Sequence, residues 1–242
     1  MQATGQNVPA AKPPQATAAK EGPKPRPHPV PPPEFRTESI DRLDEAGLIA
    51  LLKDPGATTF QRAKACQRLA AVGTREAAPA LASLLTDPQL SHYARYGLEP
   101  LPDPSADDAL RGALQKVKGG LLVGVINSLG HRRDSQAVTA LAKLLYDADP
   151  EVAQAAAAAL GAISGPPAAK VLQQALGKTK GAMRAAVAAA GLVCAEGLLG
   201  QGDRDQGLAL YGTLTGTDIP KAVRLAAMHA IIAAETSLNR PR

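Results

Sequence analysis

Four histidines, two cysteines and a scatter of carboxylates are the side chains in this 242-residue sequence that could do chemistry. His28, His92, His131 and His229 could each ligate a metal, but a metal centre needs several donors converging at fixed spacing. None of the four is followed by Glu, and His92 and His131 have no carboxylate at ligand spacing beside them. No metal site and no cofactor is expected. Cys66 sits between Ala65 and Gln67 with no base within reach of its spacing to activate it. Cys194 is 128 positions away, so the pair writes neither a CxxC motif nor a disulfide framework, and both read as buried packing residues. Gly200-Gln201-Gly202 lacks the further Gly and the preceding strand of a phosphate loop, and Asp203 and Asp205 lack the remaining ligands of a calcium loop. With no catalytic residue in view, the chain reads as non-enzymatic.

Recognition is the remaining chemistry. His92, Arg95, Tyr96 and Glu99 fall on one predicted helix, where Arg95 and Glu99 form an i,i+4 pair. Tyr and Arg are enriched where binding energy concentrates, and this chain has only six aromatic residues, so a Tyr beside an Arg is informative. One repeat later, His131-Arg132-Arg133-Asp134 aligns with Pro100-Leu101-Pro102-Asp103, which places both turns along one edge. His92, Arg95, Tyr96, Arg132 and Arg133 are therefore the candidate partner-binding residues. The competing structural reading packs Tyr96 into the core between units and pairs Arg95 locally. Lys116, Lys118, Arg132, Arg133, Lys178, Lys180 and Arg184 could instead line an edge for nucleic acid. Asp103, Asp107, Asp108, Asp134, Asp147 and Asp149 are interspersed with them, which favours a solvated mixed-charge surface.

The elements that carry these residues repeat. Ala77-Ala78-Pro79-Ala80-Leu81, Ala106-Asp107-Asp108-Ala109-Leu110, Ala137-Val138-Thr139-Ala140-Leu141 and Ala168-Ala169-Lys170-Val171-Leu172 recur at about 31 residues. Within a unit the apolar positions show helical spacing twice, as in Val123, Ile126 and Leu129 and then Val138, Leu141, Leu144 and Leu145. Asp149-Pro150-Glu151 supplies a capping carboxylate, a first-turn Pro and a first-turn acid, and Asp54-Pro55 and Asp87-Pro88 mark similar boundaries. Gly73, Gly130 and Gly161 sit where left-handed C-caps would fall. Twelve helices are predicted, at 39–53, 59–72, 75–86, 89–99, 104–116, 119–130, 134–145, 150–163, 166–177, 180–199, 203–215 and 219–236, with no strand.

Ten of the 21 Pro lie before residue 34, so residues 1–36 read as a disordered Pro/Ala-rich arm or linker, and 37–242 as the repeat domain, whose last unit from about 180 is lengthened and atypical. Glu38, Asp41, Arg42, Asp44 and Glu45 suit a polar N-terminal cap. At the other end Leu225, Met228, Ile231 and Ile232 leave apolar residues around much of the last helix, which suggests self-association or further chain. The charge-poor stretches 152–169 and 185–195 are broken or too short to span a bilayer. No signal peptide is visible, so the compartment reads as unknown, cytoplasmic by default, or exported if a leader has been removed.

The segments Glu151 to Ile163 and Ala168 to Leu176 resemble bacterial HEAT-type repeats, in particular the HEAT-like repeats of phycobilisome lyases, over about residues 45–180. That resemblance implies a right-handed α-solenoid of about five HEAT-like helix pairs. Its motif residues pack and cap, so it implies architecture more than activity. The expected function is a noncatalytic protein-binding scaffold, with a nucleic-acid binder as the alternative and an accessory or lyase-type enzyme third.

Overall fold

A computed structural model of the chain describes Pro32, Thr37 and residues 39–238. It holds α1 (Glu45–Lys53), α2 (Thr59–Val72), α3 (Ala78–Ser83), α4 (Ser91–Leu98), α5 (Ser105–Ala113) and α6 (Gly119–His131). These are followed by α7 (Val138–Leu144), α8 (Pro150–Ile163), α9 (Pro166–Lys178), α10 (Gly181–Gly200), α11 (Arg204–Thr213) and α12 (Lys221–Leu238). Turns of 3-10 helix at Arg75–Ala77 and Ser135–Ala137 lead into α3 and α7. No strand occurs among the described residues. The arm expected over 1–36 lies, but for Pro32, outside them.

The helix starts follow capping chemistry. Asp149 accepts from the Glu151 amide ahead of Pro150, and Thr58 and Gln61 form a reciprocal capping box at α2. Asp44 accepts from the Gly47 amide at 2.8 Å, which moves the first helix start from the expected 39 to Glu45. Asp87 closes the turn before α4 by accepting from Gln89 and Leu90.

The helices pair in order, giving an α-solenoid of six helix pairs among the described residues. The twelve helices are those expected, and the lengthening expected of the last unit falls on α10, which runs for 20 residues. Leu81, Leu110, Leu141 and Leu172, the aligned leucines of the repeat, are all fully buried. Each contributes about 2 kcal/mol of apolar burial. They lie in the first helices, α3, α5, α7 and α9, and join one continuous core with Leu69, Leu98, Leu129, Leu160 and Leu198 from the second helices.

Successive second helices (α6 with α8, α8 with α10) pack far more closely than successive first helices do. The closer layer of a stack lies on its inner, concave side. Small residues permit the approach: a Cβ on Gly130 would sit 2.9 Å from Ala159 Cα, and one on Gly161 would sit 2.7 Å from the Ala190 carbonyl oxygen. This corrects the expected capping role. Gly73 has φ −71°, and the positive-φ residues at helix ends include Arg133 (55°), Ser164 (58°) and Gly165 (85°). Gly130 and Gly161 are needed for contact between helices, not for turning the chain.

Helix α10 is long and apolar enough to cross a membrane by length and composition. Arg184 and Glu196 interrupt the segment, so no charge-free run in the sequence spans it. Here it packs against α8, α9, α11 and α12, with Val187, Ala188, Cys194 and Leu198 buried, as the core helix of a stack does.

Candidate functional site

The proposed contact residues divide into three roles. Arg132 follows α6, and its side chain is only 9% exposed. Its Nη1 donates to the carbonyl oxygens of Leu98, Glu99 and Leu101 at 3.0, 2.8 and 2.7 Å. Its Nε and Nη2 donate to the two carboxylate oxygens of Asp107. The Leu98 carbonyl also accepts from the Leu101 amide, and one guanidinium joins this C-terminal end of the second unit to the third. Arg132, a candidate partner-binding residue, thus has its donors engaged inside the protein. Arg111 makes the matching contact, donating to Asp134 and Asp108. Burial alone would lower the Arg111 guanidinium, but the hydrogen bonds and charges of Asp134 and Asp108 hold it above its ordinary value.

Arg95 and Glu99 are half-buried and converge on a hydroxyl of the next unit. Arg95 Nη1 donates to Ser128 Oγ at 3.3 Å, and Ser128 donates to Glu99 Oε1 at 2.6 Å. The guanidinium lies against Gly124, where any Cβ would come within 2.7 Å of Arg95 Cζ. Burial lowers the Arg95 pKa, and the Glu99 carboxylate opposes that shift. Arg95 is therefore a supporting residue, with a weak 3.5 Å contact between its Nη2 and His92 Nδ1. His92 and Tyr96 are exposed, Tyr96 by 53%, and Arg133 is exposed at the turn after α6.

Tyr96 opens onto a depression of about 420 Å³ with Gln67, Ala70, Ala71, Glu99, Pro100 and His131. A second depression, about 480 Å³, lies across α6, α8 and α10, with Asn127 and Gln154 above a floor of Ala155, Ala158, Ala186, Ala189 and Val193. His131 also borders a third, beside Arg133, Ser164 and Glu196. All three lie on second helices or the turns that follow them. Sequence reasoning missed Asn127, Gln154 and Val193, because an exposed amide or valine on an Ala-rich helix carries no motif. Their only signal is recurrence at the solvent-facing positions of successive second helices.

The seven basic residues considered for nucleic acid do not converge. Lys116, Lys118, Lys178 and Lys180 precede second helices, whereas Arg132 and Arg133 follow one, so the groups sit at opposite ends of that layer. Arg184 is bound to the Leu176 carbonyl and Asp218. Among the described residues no cluster of three or more metal-ligating side chains occurs. Both cysteines are fully buried, and burial pushes the Cys66 thiol up to about 12 and the Cys194 thiol up to about 11. At neutral pH both are uncharged packing groups.

The sequence pattern of HEAT repeats matches residues 120–192, which run from α6 into α10. The chain carries HEAT repeats. No curated protein matches the sequence. Among solved structures, an engineered protein from the Northeast Structural Genomics Consortium is similar over 78% of this chain and 96% of its own, at 20% identity and a TM-score of 0.46. A second engineered protein from the same source covers 78% of this chain and 58% of its own, at 23% identity and a TM-score of 0.44. The complex of CpcE and CpcF of phycocyanin lyase from Nostoc sp. PCC7120 is similar over 78% of this chain and 81% of its own, at 20% identity and a TM-score of 0.40.

Proposed function

We propose that the chain is a noncatalytic protein-binding scaffold whose partner lies along the exposed face of the second helices. The observation that carries this reading is the character of that face. It presents amides, alanines, Tyr96 and Val193 over shallow depressions, on a layer that Gly130, Gly161 and Arg132 hold rigid. A preformed surface with few charges binds an extended protein segment with little ordering cost of its own. Within this reading His92 and Tyr96 make contact, Arg133 borders the edge, and Arg95 ties their helix to Ser128 of α6.

Site-specific photo-crosslinking in cells of the source organism tests it. A photoreactive residue at Tyr96 or Ala158 is expected to capture one and the same protein, while one at Ser83 or Lys143, exposed on first helices, captures none. Equal capture from both layers would overturn the assignment of the face. Adducts made of RNA or DNA would replace the scaffold by a nucleic-acid binder.

A further inference from the structure

Helices α6 and α10 end in the same turn, built from different residues. After α6 the Arg133 amide donates to the Gly130 carbonyl and the Asp134 amide to that of Leu129, at 3.1 Å each. After α10 the Gly202 amide donates to the Leu199 carbonyl and the Asp203 amide to that of Leu198, at 3.0 and 2.9 Å. In both turns the residue after the cap takes a left-handed backbone, with φ 86° at Gly202 and 55° at Arg133. Glycine adopts that conformation freely, whereas a side chain crowds its own backbone there. Arg133 is thus strained at a place where the same turn elsewhere in the chain uses glycine. The other non-glycine residue with positive φ among the described residues is Ser164, after α8. Both line one depression of about 370 Å³, together with His131, Val193 and Glu196.

No contact inside the protein offsets this strain. Arg111 and Arg132 engage their guanidinium groups with Asp134, Asp108 and Asp107. The Arg133 side chain is exposed and, among the described residues, holds no hydrogen bond or ion pair. The depression it lines also links the other two, since His131 is shared with that of Tyr96 and Val193 with that of Asn127 and Gln154. Non-glycine residues held in this conformation cluster where a side chain is needed for contact. We propose that Arg133 selects the protein segment bound along the second helices by pairing with one Asp or Glu side chain of it, an inference that rests on the scaffold reading above. A guanidinium holds a carboxylate through two parallel hydrogen bonds, and at Arg133 those donors are free. Glu196 on the same depression repels a second acid or a phosphate dianion, so the site takes a single negative charge. The adjoining depression of Asn127 and Gln154 has no charged lining, so the residues of the segment that lie there are uncharged.

Random dodecapeptides displayed on phage, selected against the whole chain, test the proposal. The wild type is expected to enrich peptides with a single Asp or Glu at a fixed place. A synthetic peptide of that sequence should bind about fivefold more weakly, or worse, when its acid is changed to the amide, and equally so to Arg133→Gly or Arg133→Ala. Lys143→Ala, which removes the same charge from an exposed position on a first helix, should leave the affinity unchanged. In thermal denaturation Arg133→Gly is expected to melt about 2 °C above the wild type, while Arg133→Ala, which keeps the left-handed strain, does not. Binding lost as stability rises is the mark of a contact residue. Enriched peptides without an acid, or undiminished binding by Arg133→Gly, would overturn the proposal and leave the scaffold standing. Selection that enriches no peptide would overturn both. A melting temperature of Arg133→Gly no higher than that of the wild type would also overturn it, because the arginine would then serve the turn through its charge at the C-terminus of α6.

Discussion

Two joints of the same stack are built from opposite chemistry. The second and third units are fixed by Arg132, whose charge-assisted hydrogen bonds reach three carbonyls and Asp107. The contacts from α6 to α8 and from α8 to α10 are made by small residues instead: Gly130 meets Ala159, and Gly161 meets the Ala190 backbone. A polar joint is directional and resists sliding, whereas a joint of small residues depends on fit alone. The contrast also shows that residue type alone does not separate a joint from a contact surface. Arg132, one of the candidate contact residues, has its donors in a joint, and the alanine-rich second helices that read as core also have a solvent-facing side.

The largest expected effect breaks the joint of small residues. Gly161→Leu forces side-chain atoms into the Ala190 backbone, so thermal denaturation should show a loss of about 3 kcal/mol or more, or no folded protein. A wild-type melting curve would show that α8 and α10 do not need this approach.

Arg132→Ala comes next. It strands Asp107 and takes a donor from the carbonyls at the end of α4, for an expected cost of about 3 kcal/mol in denaturant unfolding. Arg132→Lys should recover little, because an ammonium cannot reach the carbonyls and both carboxylate oxygens at once. Full recovery by Lys would reduce the clamp to a simple ion pair.

A smaller effect should appear at alkaline pH. Burial raises both thiols above their ordinary 9.0, to about 12 for Cys66 and about 11 for Cys194. Ionisation is then easier in the unfolded chain, so their contribution to stability is complete below pH 9 and is lost as pH rises toward 11 to 12. Unfolding free energy measured against pH should fall across that window, with a shallower slope in Cys66→Ala. Equal slopes would show that the thiols do not govern the decline.

The smallest effect is expected at the candidate surface. Tyr96→Ala and His92→Ala should change stability by no more than about 0.5 kcal/mol, since both side chains are exposed. Photo-crosslinking from Ala158 should nevertheless be reduced in Tyr96→Ala. A large stability loss would return Tyr96 to the core.

Much of this was legible in the sequence, because helices and their ends are local. The bounds of α2 and α8 coincide with the expected 59–72 and 150–163, where Thr58 with Gln61 and Asp149 with Pro150 act within a few residues. The repeating leucines had to be buried because an apolar stripe at helical spacing has no other stable place. Which partners the polar residues would choose was not local. Arg132 reaches 34 positions back to Leu98, and Ser128 joins Glu99 across 29. Gly130 and Gly161 suit a turn or a close contact equally well by composition, and only the neighbouring helix makes them contacts. Sequence alone therefore determined the helices, their capping and the repeating core, through interactions a few residues long. The tertiary structure decided which arginine is a joint and which face stays open, because those outcomes depend on what the stacking of units brings together.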